Sequence, residues 1–555
     1  MTRLVFLSAL LAAASAAAQT PSGPSPSDTL AQARQLMGQK KQTDVVAMLT
    51  PFVQAHPQNG GAWLTLGNAH RQLGHMKEAS EALGRASEFT LGPVPVAAMS
   101  LFGMYADSGK REMAYDWMKQ KLEGQVDLTA VAAIPGVRNL KGDPRFDVLF
   151  PDRVRFDPPF VEANARIIHE WRGEAAGDEF GWIARGVGDV DGDRVTDLVI
   201  SATMNPPYGS TRGAVYVYSG KSGALLWKRA GDSGSVLGTG LEAAGDVNGD
   251  GIPDVAAGAP GSNTVLVLSG RDGKTLLTLK GDSADGDLGV STAGVGDVDG
   301  DGRPDIAGGS PSSHQGTGRV YIFSGKDGHR IETLDGEHQG DGFGSAVGGA
   351  GGTLIVGASG AGQRKAGKIY VYRRGKPAPA FAAEADSTGI AFGAMFLSVL
   401  GDVDGDGVPD IYATDYPNQA RGRATGRVYI YSGKTGALLK TFTGQAAGGG
   451  FGIGAARAGD LDGDGKADLV VGSWQYGGAA WSGGRVDVLS SRDGRSLQTI
   501  TGKVPGETLG FDAVGVGDID GDGITDFLVT SAWSMVNGFH SGRTYIVAGT
   551  FKPRR

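Results

Sequence analysis

The stretch Gly401-Asp402-Val403-Asp404-Gly405-Asp406-Gly407-Val408-Pro409-Asp410 decides how the chain is read. Counting from Asp402, it places carboxylates at positions 1, 3, 5 and 9 and glycine at positions 4 and 6. In a tight loop alternate residues turn inward together, glycine permits the positive φ such a turn needs, and position 7 offers its backbone carbonyl. Four carboxylates this close repel one another. A hard divalent cation relieves the repulsion, and Ca²⁺ suits a flexible cage of six or more oxygens. For a single copy, the competing reading is a solvated acidic turn.

The loop is not single. With the position-7 carbonyl included, the candidate ligands here are Asp402, Asp404, Asp406, Val408 and Asp410. Upstream the pattern recurs as Asp189, Asp191, Asp193, Val195 and Asp197, then Asp246, Asn248, Asp250, Ile252 and Asp254, then Asp297, Asp299, Asp301, Arg303 and Asp305. Downstream it returns as Asp460, Asp462, Asp464, Lys466 and Asp468, and as Asp518, Asp520, Asp522, Ile524 and Asp526. First positions lie 57, 51, 105, 58 and 58 residues apart. The gap of 105 spans two units, so one repeat has lost its loop but keeps Phe343-Gly344 and Leu354-Ile355-Val356-Gly357-Ala358. Six loops in register favour up to six Ca²⁺ ions over solvated turns. They are not EF-hands, because no Glu stands at position 12 and no helices flank them.

The six loops hold 23 of the 60 acidic residues, and six divalent cations would outweigh the formal charge of −8. The acidity is therefore local and argues for no particular partner. No basic patch with interleaved aromatics suggests nucleic acid. Glycine is abundant, at 94 of 555 residues, without a collagen period, as expected for many tight turns between short strands. Cysteine is absent. That excludes a disulfide framework and thiolate metal sites and accords with export. Residues 1–18 read as a secretory signal: Arg3 supplies a positive start, Leu4 to Ala14 an apolar run, and Ala16-Ala17-Ala18 a small-residue cleavage site. The apolar run is too short to span a bilayer, and no later segment is long enough. The expected location is periplasmic, cell-surface-associated or extracellular.

Residues 19–27 form a Pro/Ser linker. Residues 28–125 turn helical. Trp63-Leu66-Gly67-His70-Gly74-Ala79-Leu83-Ala86 has the spacing of a tetratricopeptide repeat. It departs from that pattern at His70, where Tyr is usual, and at Leu91, where Pro is usual. Leu36, Val45, Leu49, Phe52 and Pro57 occupy equivalent positions one period earlier, and Leu101, Met104, Gly109, Ala114 and Met118 one period later with a one-residue slip. His70 and His75 read as packing or solvent-facing side chains rather than metal ligands. Such a helical stack offers a groove for a peptide or protein partner; the simpler alternative is a stabilising cap or spacer. Residues 126–164 form a Pro-punctuated connection.

Residues 165–549 are built of repeats with four apolar stretches each, and 550–555 form a tail. Short turns such as Ser432-Gly433-Lys434-Thr435-Gly436 join the third stretch to the fourth, as expected for antiparallel hairpins. Four-stranded units repeated seven times predict a β-propeller. Ile167-Ile168-His169-Glu170-Trp171 reads as a fourth strand lacking its third, and Thr544-Tyr545-Ile546-Val547 as a third lacking its fourth. Pairing the two closes the ring and removes the last free edges. The fold class is thus multidomain: N-terminal tetratricopeptide-like helices, then an all-β seven-bladed propeller.

These residues carry a resemblance to the FG-GAP repeat, found in the propeller of integrin α subunits and in many secreted bacterial proteins. The Phe-Gly element appears as Phe180-Gly181, Phe343-Gly344, Phe392-Gly393 and Phe451-Gly452, with Leu for Phe at Leu237-Gly238, Leu288-Gly289 and Leu509-Gly510. The Gly-Ala-Pro element is intact at Gly258-Ala259-Pro260 and varied at Gly309-Ser310-Pro311 and Gly357-Ala358-Ser359. The resemblance implies Ca²⁺ in loops between first and second strands. The chain departs from the pattern in the fourth repeat, which lacks a site. Arg194 stands at position 6 of the first loop, and Asn248 removes a charge from the second, which is expected to be weaker.

The resemblance also implies that loops between second and third strands lie on the opposite face. Those loops carry Tyr208, Tyr416, Trp474, Tyr476, Trp481, Trp533 and Phe539, with Arg421 and Arg423 nearby. Exposed aromatics beside arginine suit contact with a protein or glycan ligand; the alternative is packing over the propeller mouth. The eight histidines are scattered without a metalloprotease motif, and Gly231-Asp232-Ser233-Gly234 lacks protease-like surroundings. The expected function is an exported, calcium-binding, non-catalytic binding or adhesion module. The alternatives are a propeller-based extracellular hydrolase or lyase, and an envelope assembly scaffold working through the helical repeats.

Overall fold

Short apolar runs bounded by glycine turns pair into antiparallel sheets, and among the described residues seven such sheets of four strands each form. The structure is a computed structural model that describes residues 26–89, 96–118, 131, 134–140, 142–147, 157–204, 211–282 and 286–551. The signal stretch 1–18 and Tyr208 lie outside the described residues. The chain divides into two units, Met1–Asp152 and Arg153–Arg555.

In the first unit six helices form three hairpins: α1 (Pro26–Gly38) with α2 (Gln42–Ala55), α3 (Gly60–Gln72) with α4 (Met76–Phe89), and α5 (Val96–Asp107) with α6 (Arg111–Trp117). The hairpins recur at about 35-residue spacing. Helix α1 begins two residues inside the stretch read as linker, at Pro26; proline is tolerated at a helix start because that N–H has no intrahelical acceptor. Val45, Leu49, Leu66, Leu83, Leu101, Met104, Ala114 and Met118 are all buried, as the helical periodicity requires. A Cβ on Gly67 would meet Leu83 Cγ at 2.7 Å, which marks the closest approach of α3 to α4.

In the second unit, blades 1 to 6 cover residues 180–230, 241–280, 291–335, 343–384, 398–443 and 451–501. Blade 7 joins three strands of 513–547 to the strand Ile167–Arg172 from the other end of the unit. There Trp171 lies opposite Thr544 in an antiparallel ladder. A parallel bridge from Phe180 to Gly542 ties blade 7 to blade 1. The predicted closure is therefore observed. Blade 4 replaces its acidic loop with a two-residue hairpin, Gly351-Gly352, at φ 56 and 80. Two positive φ values match the right-handed twist of the flanking strands.

Among the described residues, first strands of neighbouring blades touch at six of the seven junctions. Second strands such as Asp468–Ser473 are buried along their whole length, which is why they read as continuous small or apolar runs rather than alternating ones. Each Phe of the Phe-Gly element is buried. Phe180, Phe343 and Phe392 meet third-strand Tyr216, Tyr370 and Tyr429 edge-on at 5.3, 5.3 and 5.1 Å. Burying one such ring contributes about 1.5–3 kcal/mol.

Candidate metal loops and the opposite face

Each acidic loop leaves the first strand of its blade and returns as the second, and the carboxylates themselves hold its shape. The position-1 Asp accepts the backbone N–H of position 4 at 2.6–2.8 Å in all six loops. It also accepts that of position 6 at 2.8–3.1 Å. The position-5 Asp accepts the N–H of position 7, from Val195, Ile252, Arg303, Val408, Lys466 or Ile524, at 2.8–3.0 Å. Position 6 takes a positive φ throughout, including Arg194 at φ 70 where the other loops have glycine.

The position-9 Asp does something its spacing does not reveal. Asp197, Asp254, Asp305, Asp410, Asp468 and Asp526 are fully buried. One oxygen of each accepts the N–H of position 2 at 2.7–3.0 Å. The other accepts an N–H from the turn after the third strand, or its counterpart Gly549, at 2.9–3.1 Å. This carboxylate clamps the loop to that turn. In blade 5 the donor is Gly433, where a Cβ would stand 1.9 Å from the Pro409 carbonyl, so glycine is required by close approach. Burial pushes these carboxyls up, to about 6 for Asp254 and Asp468, against the opposing pull of the backbone N–H groups.

Whether the donor set fits a cation is tested by oxygen placement. Carboxylate oxygens of Asp189, Asp191 and Asp197 lie within 4.8 Å of one another, as do those of Asp297, Asp299 and Asp301, of Asp402, Asp404 and Asp410, and of Asp460, Asp462 and Asp464. In blade 6, Asp462 Oδ1 and Asp464 Oδ2 are buried with no hydrogen-bond partner. The Asp462 side chain is 7 % exposed, and its other oxygen takes Arg495 at 3.1 Å. A buried carboxylate oxygen without a donor is costly, and a hard cation satisfies it. The residues therefore fit Ca²⁺. A further cluster before blade 4, Glu337, His338 and Asp341, already pairs with Lys368 and Lys365 at 2.9 Å each.

Connections between second and third strands emerge at the other end of each blade. Here the expectation of exposed aromatics needs correcting at two positions. Trp474 is 3 % and Trp533 5 % exposed. They meet edge-on at 4.6 Å and pack with Ile453, Phe511 and Ala532. The convergence of blades 6, 7 and 1 leaves a gap that these indoles fill, so they seal the mouth rather than face a ligand. Trp182, Met395, Phe396 and Tyr416 pack against this seal. Below it Arg185 bridges Asp512 of blade 7 at 2.6 Å and Glu242 of blade 2 at 3.1 Å.

What remains accessible is a smaller set. Tyr416, Tyr476 and Trp481 are half-buried, and Arg485 lies over the Tyr476 ring at 5.3 Å. Phe539 is 42 % exposed and stacks on His540, which stacks on Trp533. Arg421 is exposed and Arg423 half-buried; burial lowers the pKa of Arg423. Asp232 and Ser233 sit in an exposed turn.

Models of the FG-GAP repeat match residues 180–218, 241–275, 289–323 and 511–547, and a model of the FG-GAP-like repeat matches 402–471. The C-terminal unit is an FG-GAP β-propeller. The matched segments leave out blade 4 of this FG-GAP propeller, the one without an acidic loop. The chain is 33 % identical over 175 residues to integrin alpha-PS5 of Drosophila melanogaster, covering 28 % of this chain and 17 % of that protein. It is 30 % identical over 261 residues to integrin alpha-6 of Gallus gallus, covering 43 % and 22 %, and 35 % identical over 160 residues to human integrin alpha-6, covering 26 % and 14 %. The chain thus spans less than a quarter of the length of these relatives. No described helix is long and apolar enough to cross a membrane.

Proposed function

We propose that this chain is an exported, non-catalytic binding or adhesion module. Ca²⁺ seated in its acidic loops stabilises the ring, and a protein or glycan ligand meets the opposite face. The observation that carries the calcium reading is the pair of buried, unpartnered oxygens on Asp462 and Asp464 within a loop pattern repeated in six blades. The binding reading rests on the integrin-α-like propeller and on the accessible set Tyr416, Arg421, Arg423, Tyr476, Trp481 and Phe539. Residues 1–18 support export as a signal sequence. The helical hairpins resemble tetratricopeptide repeats, and the cleft of about 350 Å³ beside Trp63, Ser80, Glu81, Gly84 and Arg85 is the place for a peptide partner.

A glycan and peptide binding screen in millimolar Ca²⁺ tests this function. Arg421→Ala and Phe539→Ala are expected to abolish capture of the selected ligand while leaving the melting temperature unchanged. Turnover of a captured glycan would instead favour the hydrolase or lyase alternative.

A further inference from the structure

Two histidines of the helical unit face each other across the turn between α3 and α4. The chain leaves α3 through Gly74 at φ 77, and the His75 N–H donates to the His70 carbonyl at 2.9 Å. This left-handed helix stop folds one imidazole over the other. The ring centroids are 5.6 Å apart, yet the two Nδ1 atoms are 3.4 Å apart, so the rings diverge from converging nitrogens. That separation is long for a hydrogen bond donated by N–H. Two imidazole nitrogens bound to one tetrahedral zinc at about 2.0–2.1 Å lie about 3.3–3.4 Å apart.

We propose that His70 and His75 chelate a divalent transition-metal ion of the zinc class at the α3–α4 turn. His75 is exposed and His70 half-buried, so an ion enters directly from solvent. With both Nδ1 atoms unprotonated, their lone pairs oppose each other unless a cation lies between. With two protein ligands at an exposed turn, water completes the shell. Imidazole selects zinc, nickel or copper over calcium, so this site is chemically separate from the acidic loops.

Zinc chloride titrated calorimetrically into the full chain, in saturating Ca²⁺ to occupy the acidic loops, tests the assignment. The wild type is expected to take up one zinc ion that His75→Ala and His70→Ala each lose or bind at least about tenfold more weakly, since losses outside the ligand shell alone cost 10–100-fold. His75 is exposed, so His75→Ala keeps its zinc-free melt and suffices if His70→Ala folds poorly. Zinc uptake by His75→Ala equal to wild type, or no uptake by the wild type, overturns the proposal.

Discussion

Asp410 is fully buried, yet it accepts Val403 N–H at 2.8 Å and Gly433 N–H at 2.9 Å. Asp404, two residues into the same loop, accepts the Asp406 N–H at 3.0 Å. Asp410 therefore clamps the loop as well as lying beside Asp402 and Asp404, a task Asp404 does not share. Removing the clamp strands two buried donors, so Asp410→Ala is expected to lower stability by about 1–3 kcal/mol even in chelator. Asp404→Ala is expected to change the chelator melt little but to remove one bound Ca²⁺ while the other five remain, which ion counting by native mass spectrometry reads. Arg194 holds φ 70 where the other loops have glycine. A non-glycine residue there costs about 1–2 kcal/mol, partly offset by glycine's greater freedom in the unfolded chain. Arg194→Gly is thus expected to stabilise by about 0.5–1 kcal/mol in denaturant melts. Asp415 supplies a pH dependence. Burial raises it to about 6 although Ile390, Ala391 and Asn418 donate to it. Its ionised form is penalised in the fold, so the penalty is full at pH 7, fades as pH falls through 6 and is gone below the unfolded value near 4. Relative to Asp415→Asn, wild-type stability should rise by about 2–3 kcal/mol from pH 7 to pH 4. Ligand spacing was legible in the sequence at this scale. Which carboxylate clamps was not, because the clamp's partner lies 23 residues away at Gly433.

Single blades repeat a second device that composition hides. A carboxylate in the segment entering a blade meets a tyrosine and a cation on that blade's own strands. Asp386 takes Tyr429 at 2.7 Å and Arg427 at 2.6 Å, and Glu507 takes Tyr545 at 3.1 Å and Arg543 at 3.5 Å. Asp282 takes Tyr321 at 2.6 Å and Arg319 at 3.1 Å. These contacts fix the segments that emerge at the end of each blade opposite the acidic loops. Blade 4 shows that the sheet does not need the acidic loop: two glycines close the same hairpin. Gly351→Asn, a residue that favours this turn, is expected to leave its melt unchanged or slightly raised. The strands themselves were readable from their turns and apolar runs. The clasps were not, since each joins residues 36 to 43 apart whose pairing depends on blade geometry.

At the scale of the molecule, the ring explains both what was foreseen and what was not. Closure was written in the orphan strand near residue 167 and its missing partner near 547, and the ladder between them forms. Exposure at the mouth was not legible, because Trp474 and Trp533 become buried only when blades 6, 7 and 1 converge. Ca²⁺ is expected to bind the folded ring through its acidic turns. A ligand bound only by the folded state stabilises by RT ln(1 + [L]/Kd), and extracellular modules bind Ca²⁺ at about 10⁻⁴–10⁻³ M. The most direct measurement is therefore the melting temperature of the full chain in millimolar Ca²⁺ and after exhaustive chelation, with bound calcium counted in both samples. Up to six ions per chain and a lower melt without them are expected; an unchanged melt with no calcium bound would rule out Ca²⁺ as the pin of the ring.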